Sequence, residues 1–157
     1  MKNKAQFLTM AAAVFFLLFT SCGKDDDKDL SGGSDSEKTT AIVGRWEFVK
    51  DVWQETPGDT ETEPGVNGEY IEFKKDGAAV VRRYDEDEEK LKEDSGFWKV
   101  KGGKLFLAED REELEDPEDG MTIVKLTSSE LVLEEAGTYK DQDNRDIKWK
   151  HTTYLKK

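Results

Sequence analysis

Residues 70–84 read YIEFKKDGAAVVRRY. Two short apolar runs flank Lys75-Asp76-Gly77, and an Asp-Gly pair is favoured in tight hairpins because such turns need residues that accept positive φ. Neither run is long enough for a helix, and neither recurs with the 3.6-residue period of one. The stretch therefore reads as two antiparallel strands, Tyr70–Lys74 and Ala78–Tyr84.

The same texture continues outward. Gly102-Gly103 joins Gly96–Lys101 to Lys104–Ala108, and Ser128-Ser129 joins Met121–Thr127 to Glu130–Leu133. Ile42–Trp53 precedes the series and Ile147–Leu155 ends it. No helix-sized segment interrupts the eight strands, although Arg111–Asp116 has room for a turn or two. All four tryptophans, all four tyrosines and half of the eight phenylalanines fall after residue 40. Eight antiparallel strands with one apolar face close most simply on themselves, which removes exposed edges. The expected fold is all-β: an eight-stranded antiparallel up-and-down barrel over residues 41–157.

Short and long connections alternate. The long ones, 54–69, 85–95, 109–120 and 134–146, then gather at one end of the barrel. They contain 25 acidic and five basic residues, a balance of −20, whereas the tight turns at 74–77, 101–104 and 127–130 hold four lysines and two acids. An acidic mouth and a mildly basic base follow. The whole chain carries a formal charge of −12. Nucleic acid is excluded as a partner, since its binding rests on neutralising phosphates with Lys and Arg.

The N-terminus has its own logic. Lys2 and Lys4 precede an apolar run, Phe7–Thr20, too short to span a bilayer comfortably. It ends in Phe19-Thr20-Ser21-Cys22, which resembles the lipobox of bacterial lipoproteins. The resemblance implies a signal peptide over residues 1–21, a diacylglyceryl group on Cys22 and acylation, with palmitate, of the new amino terminus. Several acyl chains anchor a protein where one would not. Gly23-Lys24-Asp25-Asp26-Asp27 resembles the short Lys-plus-acidic signal that sends lipoproteins to the outer face of the outer membrane. Residues 22–40, rich in Gly, Ser, Asp and Lys, read as a flexible acidic tether. The alternative is an ordinary secretory signal beside a stray cysteine, leaving the mature chain secreted and free.

Gly44-Arg45-Trp46 resembles the Gly-x-Trp that opens lipocalin barrels, where the tryptophan packs across the closed end. "IVGRWEFV", "YIEFKKDG", "GFWKVKGGKLFL", "KLTSSELVL" and "TTYLKK" together resemble the short lipocalin-like domains of bacterial surface lipoproteins. The resemblance implies a barrel that holds an apolar ligand. By alternation, Trp46 shares a face with Gly44 and Phe48, Trp98 with Gly96 and Val100, Trp149 with Ile147 and His151, and Tyr84 with Val80 and Arg82. Trp46, Phe48, Arg82, Tyr84, Trp98, Trp149 and His151 are the candidate pocket residues, with Arg82 or His151 orienting a polar head. The residues equally allow the aromatics to be core, since an eight-stranded barrel can be filled by its own side chains.

Nothing in the sequence marks catalysis or a cofactor. There is one histidine, the single cysteine is assigned to lipid, and no Cys/His cluster offers a zinc site. Asp141, Asp143 and Asp146 alternate like oxygen ligands and form a weak calcium candidate, but the stretch lacks the glycine and the closing glutamate of an EF-hand loop. The expectation is a non-enzymatic, lipid-anchored envelope protein that binds a small, partly apolar ligand. The alternative is an interaction module whose acidic loops dock another envelope protein, because loops commonly carry binding residues.

Overall fold

Gly102 and Gly103, at φ 61° and 77°, reverse the chain in the left-handed region that glycine enters without a Cβ penalty. They join β5 (Lys90–Lys101) to β6 (Lys104–Ala108). The computed structural model, which describes residues 28–117 and 119–157, builds seven further strands around this hairpin. These are β1 (Gly44–Thr56), β2 (Thr60–Pro64), β3 (Tyr70–Phe73), β4 (Ala78–Asp85), β7 (Met121–Leu126), β8 (Glu130–Lys140) and β9 (Asp146–Lys156). All pairings are antiparallel. Strands β1 and β3–β9 follow one another, and β9 returns to β1 to close an eight-stranded barrel.

Two features were not anticipated. The expected 54–69 loop contains β2, which extends the second half of β1 as a hairpin, pairing Lys50 with Pro64 through Gln54 with Thr60. The expected links 85–95 and 134–146 are mostly strand, because β5 begins at Lys90 and β8 runs to Lys140. The mouth is therefore built from long hairpins rather than open loops. Their acids are paired in part across the strands, as in Lys92 with Asp85 (2.7 Å) and Lys140 with Asp146 (2.8 Å).

The tether expected over residues 22–40 must also be redrawn. Residues 1–27, which hold the expected signal peptide, Cys22 and the export signal, lie outside the described residues. From Asp29 onward the chain is folded against the barrel. The Leu30 amide donates to the Leu126 carbonyl (2.6 Å), and the Leu126 amide donates to the Asp29 carboxylate (3.2 Å). Helix α1 (Asp35–Ile42) follows. Its N-cap Ser34 and Glu37 form a reciprocal capping box, which satisfies donors that a helix start leaves free. The Asp35 carboxylate accepts from both Gly102 (2.7 Å) and Gly103 (2.9 Å) amides, so the helix is fastened to the β5–β6 turn. The domain thus starts about a dozen residues before Ala41, and its entry lies at the tight-turn end.

The core fills that end. Ile42, Trp46, Phe73, Trp98, Leu105, Leu126, Leu131 and Leu155 are all buried, with Ile42, Trp46, Leu105, Leu126 and Leu131 fully so. The Trp46 indole N–H donates to the Ile42 carbonyl (2.6 Å), giving the one polar atom of that ring a partner, as burial requires. Lys157 covers the same ring at 4.3 Å and donates to the Ala41 and Val43 carbonyls (3.0 and 3.1 Å). Burial lowers its pKa below the usual lysine value.

Candidate functional site

Alternation along each strand assigns the wall of the mouth. Phe48 faces in, opposite Leu155, and an irregularity between Phe48 and Lys50 then shifts the phase of β1 by one residue. Beyond it, Asp51, Trp53 and Glu55 face inward, opposite Thr153, His151 and Trp149 of β9. A bulge of this kind re-aims every later side chain on its strand. On β4 the inward residues are Ala79, Val81 and Arg83, because Ala79 pairs with the core residue Phe73 and Val81 with Ile71.

These positions assemble a polar cluster above the apolar core. Asp51, 5% exposed, is its hub. Its Oδ1 accepts from Thr153 Oγ1 (2.6 Å) and contacts His151 Nε2 (3.0 Å), and its Oδ2 accepts from Arg83 Nη2 (2.9 Å). An ionised carboxylate only accepts, so the contact with His151 requires the proton on Nε2 and leaves Nδ1 as an acceptor in the neutral ring. Burial pushes the Asp51 carboxyl up, but the bonds from Thr153, Arg83 and His151 and the guanidinium charge outweigh it and hold it below the usual carboxylate range. Arg83 Nε also reaches Glu69 (3.3 Å). The Glu69 carboxylate in turn accepts the Tyr84 and Val66 amides (2.8 and 2.7 Å). Aromatic rings frame the cluster: Arg83 lies 4.1 Å over Phe48, and Trp53 stacks on His151 at 3.9 Å with 6° between planes.

Two clefts open here and share Val81. One, of about 350 Å³, is lined by Phe48, Asp51, Trp53, Glu63, Val81, Arg83, His151 and Thr153. The other, of about 230 Å³, has apolar walls from Ala79, Val81, Phe97, Leu107 and Ala108 with Asp94 and Glu109 at its edge. Strands β6 and β7 pair over two residues only, Lys104 with Thr122 and Leu105 with Met121, and then separate. The loop after β6 turns back over the outer wall, where Arg111 covers Phe97 at 4.7 Å. A larger recess of about 590 Å³ lies at the hairpin tips, with Trp149 as its one aromatic wall.

The expected pocket residues divide accordingly. Phe48 and His151 line the first cleft, and Trp149 faces inward at the hairpin recess. Trp46 and Trp98 are core instead: both are buried at the tight-turn end, and Trp98 packs edge-on against Phe73 at 5.1 Å. Arg82 and Tyr84 face out, and the inward position between them is Arg83. Asp51, Trp53, Arg83 and Thr153 were missed. The buried polar Asp51 had no signal of its own in the sequence, because the irregularity in β1 hides its facing.

The calcium candidate is also corrected. The Asp141 carboxylate is occupied by the Asp143 and Arg145 amides (2.9 and 2.8 Å) and by Arg145 Nε (2.7 Å), and Asp146 pairs with Lys140. These contacts close the β8–β9 turn. Among the described residues no group of three or more His, Cys, Asp or Glu is placed to hold a metal ion.

Comparison with known proteins now bears on the whole. A family model described as a lipocalin-like domain matches residues 42–133. The structure is similar to that of a lipocalin-like protein from Bacteroides uniformis, at 16% identity and a TM-score of 0.47, covering 74% of this chain and 98% of that one. It is also similar to a deswapped triple mutant of bovine odorant-binding protein, at 16% identity and a TM-score of 0.39, with 74% of each chain covered. No curated protein matches. The matched segment runs from the end of α1 through the core strands to β8, and is more than half of the chain. The chain belongs to the lipocalin-like domain family, whose barrels typically bind ligands.

Proposed function

We propose that the protein is a lipid-anchored component of the cell envelope, held at the outer membrane through Cys22, whose barrel mouth binds a small, partly apolar molecule without catalysis. The observation that carries the binding role is the pair of clefts meeting at Val81, one polar and aromatic, the other apolar. Small-molecule sites combine this kind of apolar wall with a few oriented polar groups. Because the lower barrel is filled by Trp46, Phe73 and Trp98, the ligand rests in the mouth and not in a deep enclosed chamber.

The anchoring role rests on the Phe19-Thr20-Ser21-Cys22 motif. Entry of the chain at the tight-turn end agrees with it, since that end lies opposite the mouth and leaves the clefts facing away from the membrane. Native against denaturing mass spectrometry of the protein purified from its own envelope tests the binding role. A stoichiometric mass that departs on denaturation supports it, and a bare chain counts against it. For the anchor, Cys22→Ser should move the protein out of the membrane fraction. Retention in that fraction would refute lipid attachment at Cys22.

A further inference from the structure

The chemistry of the ligand is constrained by which groups in the mouth are already committed. Arg83 is the one cation lining the two clefts. Its charge is balanced by Asp51 and Glu69, and one face of its guanidinium lies on Phe48. It therefore offers no unbalanced positive charge to an incoming anion. The carboxylates inside are equally committed: Asp51 takes three partners and Glu69 takes two backbone amides and Arg83.

The rims differ. Glu63 edges the polar cleft, and Asp94 and Glu109 edge the apolar one. All three are exposed, and none has an ion pair or a side-chain hydrogen bond among the described residues. The two linings together hold four carboxylates (Asp51, Glu63, Asp94 and Glu109) against one guanidinium, a formal balance of −3 with His151 neutral. A fatty carboxylate would enter against that field, and the acidic hairpins around it extend the same sign outward. Trp53 adds an attractive surface. It is 43% exposed, and its stacking on His151 fixes its orientation. A fixed, accessible indole face attracts cations through its quadrupole.

We infer that the mouth takes an amphiphilic organic cation: an amine or planar cationic head against Trp53 and the rim carboxylates, with a short apolar or aromatic tail along Val81, Ala79 and Leu107. This rests on the small-molecule role proposed above and narrows it. The head loses little hydration at an exposed rim, while the tail gains a wall that water wets poorly.

Three matched probes test it on the full chain by titration calorimetry at low salt and pH 7: 4-phenylbutylamine, 4-phenylbutanol and 4-phenylbutyrate. The amine should bind at least about tenfold more tightly than the carboxylate, with the alcohol between, and the preference should shrink in 0.5 M salt because exposed charges are screened. The triple variant E63Q/D94N/E109Q should lose the amine's advantage while keeping the alcohol's affinity, and its surface positions leave the core untouched. Trp53→Ala should weaken the amine more than the alcohol. A carboxylate that binds as well as the amine overturns the cationic assignment and leaves the binding role standing. If no probe binds while the native protein carries a ligand, this inference falls alone. If no probe binds and the native chain is bare, the proposed binding role falls with it.

Discussion

Asp51→Ala is the most informative single change. The side chain is 5% exposed and receives Arg83, Thr153 and His151 at 2.9, 2.6 and 3.0 Å. Its loss leaves the buried Thr153 hydroxyl without its acceptor, which costs about 1–3 kcal/mol for a buried polar group. Breaking a fully buried ion pair costs about 3–5 kcal/mol, but the Arg83 side chain is 41% exposed and water re-solvates it, so its share is about 1 kcal/mol. The total is about 2–4 kcal/mol. With a urea slope of about 2 kcal/mol/M, the unfolding midpoint falls by about 1–2 M. The Asp51→Ala/Arg83→Ala cycle should give a coupling of about 1 kcal/mol between the two sites. The pH dependence is fixed by sign. Asp51 has a depressed carboxyl pKa in the folded state, so its contribution is complete above the unfolded value of about 3.9 and is lost as pH falls through the folded value. The stability gap between wild type and Asp51→Asn should hold from pH 7 to about 4 and close below that. A midpoint shift under about 0.3 M for Asp51→Ala, or a gap that widens in acid, would refute the hub.

Three further changes probe separate links. Arg83→Ala should cost about 1–2 kcal/mol in chemical unfolding, whereas Arg82→Ala, on the outer face, should stay within about 0.5 kcal/mol; equal effects would mean that the facing of β4 is misassigned. A Cβ at Gly137 would come within 2.7–2.8 Å of the Trp149 indole, so Gly137→Val should displace that ring and shift the tryptophan emission maximum, and an unchanged spectrum would place Trp149 elsewhere. Asp35→Ala removes the acceptor for the Gly102 and Gly103 amides. Their hydrogen exchange should accelerate along with that of α1 while the β8–β9 amides stay protected, and uniform exchange throughout would show that the helix is no separate clasp.

The helix itself shows what kind of signal was overlooked. Asp35–Ile42 reads DSEKTTAI and has no apolar stripe, so hydrophobic periodicity cannot reveal it. The capping box Ser34-x-x-Glu37 was nonetheless present in the sequence as a local helix-start pattern. Similarly, the extra strand β2 is Thr60-Glu61-Thr62-Glu63-Pro64, exposed at every position. Only its pairing with β1 makes it a strand.

The sequence by itself determined the barrel. Alternating short apolar runs set the strands, and Asp-Gly and Gly-Gly set two of the tight turns. These are local properties, legible because backbone preference and side-chain period act within a few residues. What the mouth contains was decided only by tertiary pairing. Strand β4 reads Ala-Ala-Val-Val-Arg-Arg-Tyr-Asp, so shifting it by one residue reproduces nearly the same hydrophobic pattern on either face. Hydropathy cannot choose between Arg82 and Arg83; the pairing of Phe73 with Ala79 does. The irregularity at Val49 likewise turns Asp51 and Trp53 inward only because β9 fixes the register on both sides of it. Facing is a two-valued property of each strand, and where a strand's own sequence is degenerate its neighbour must set the value.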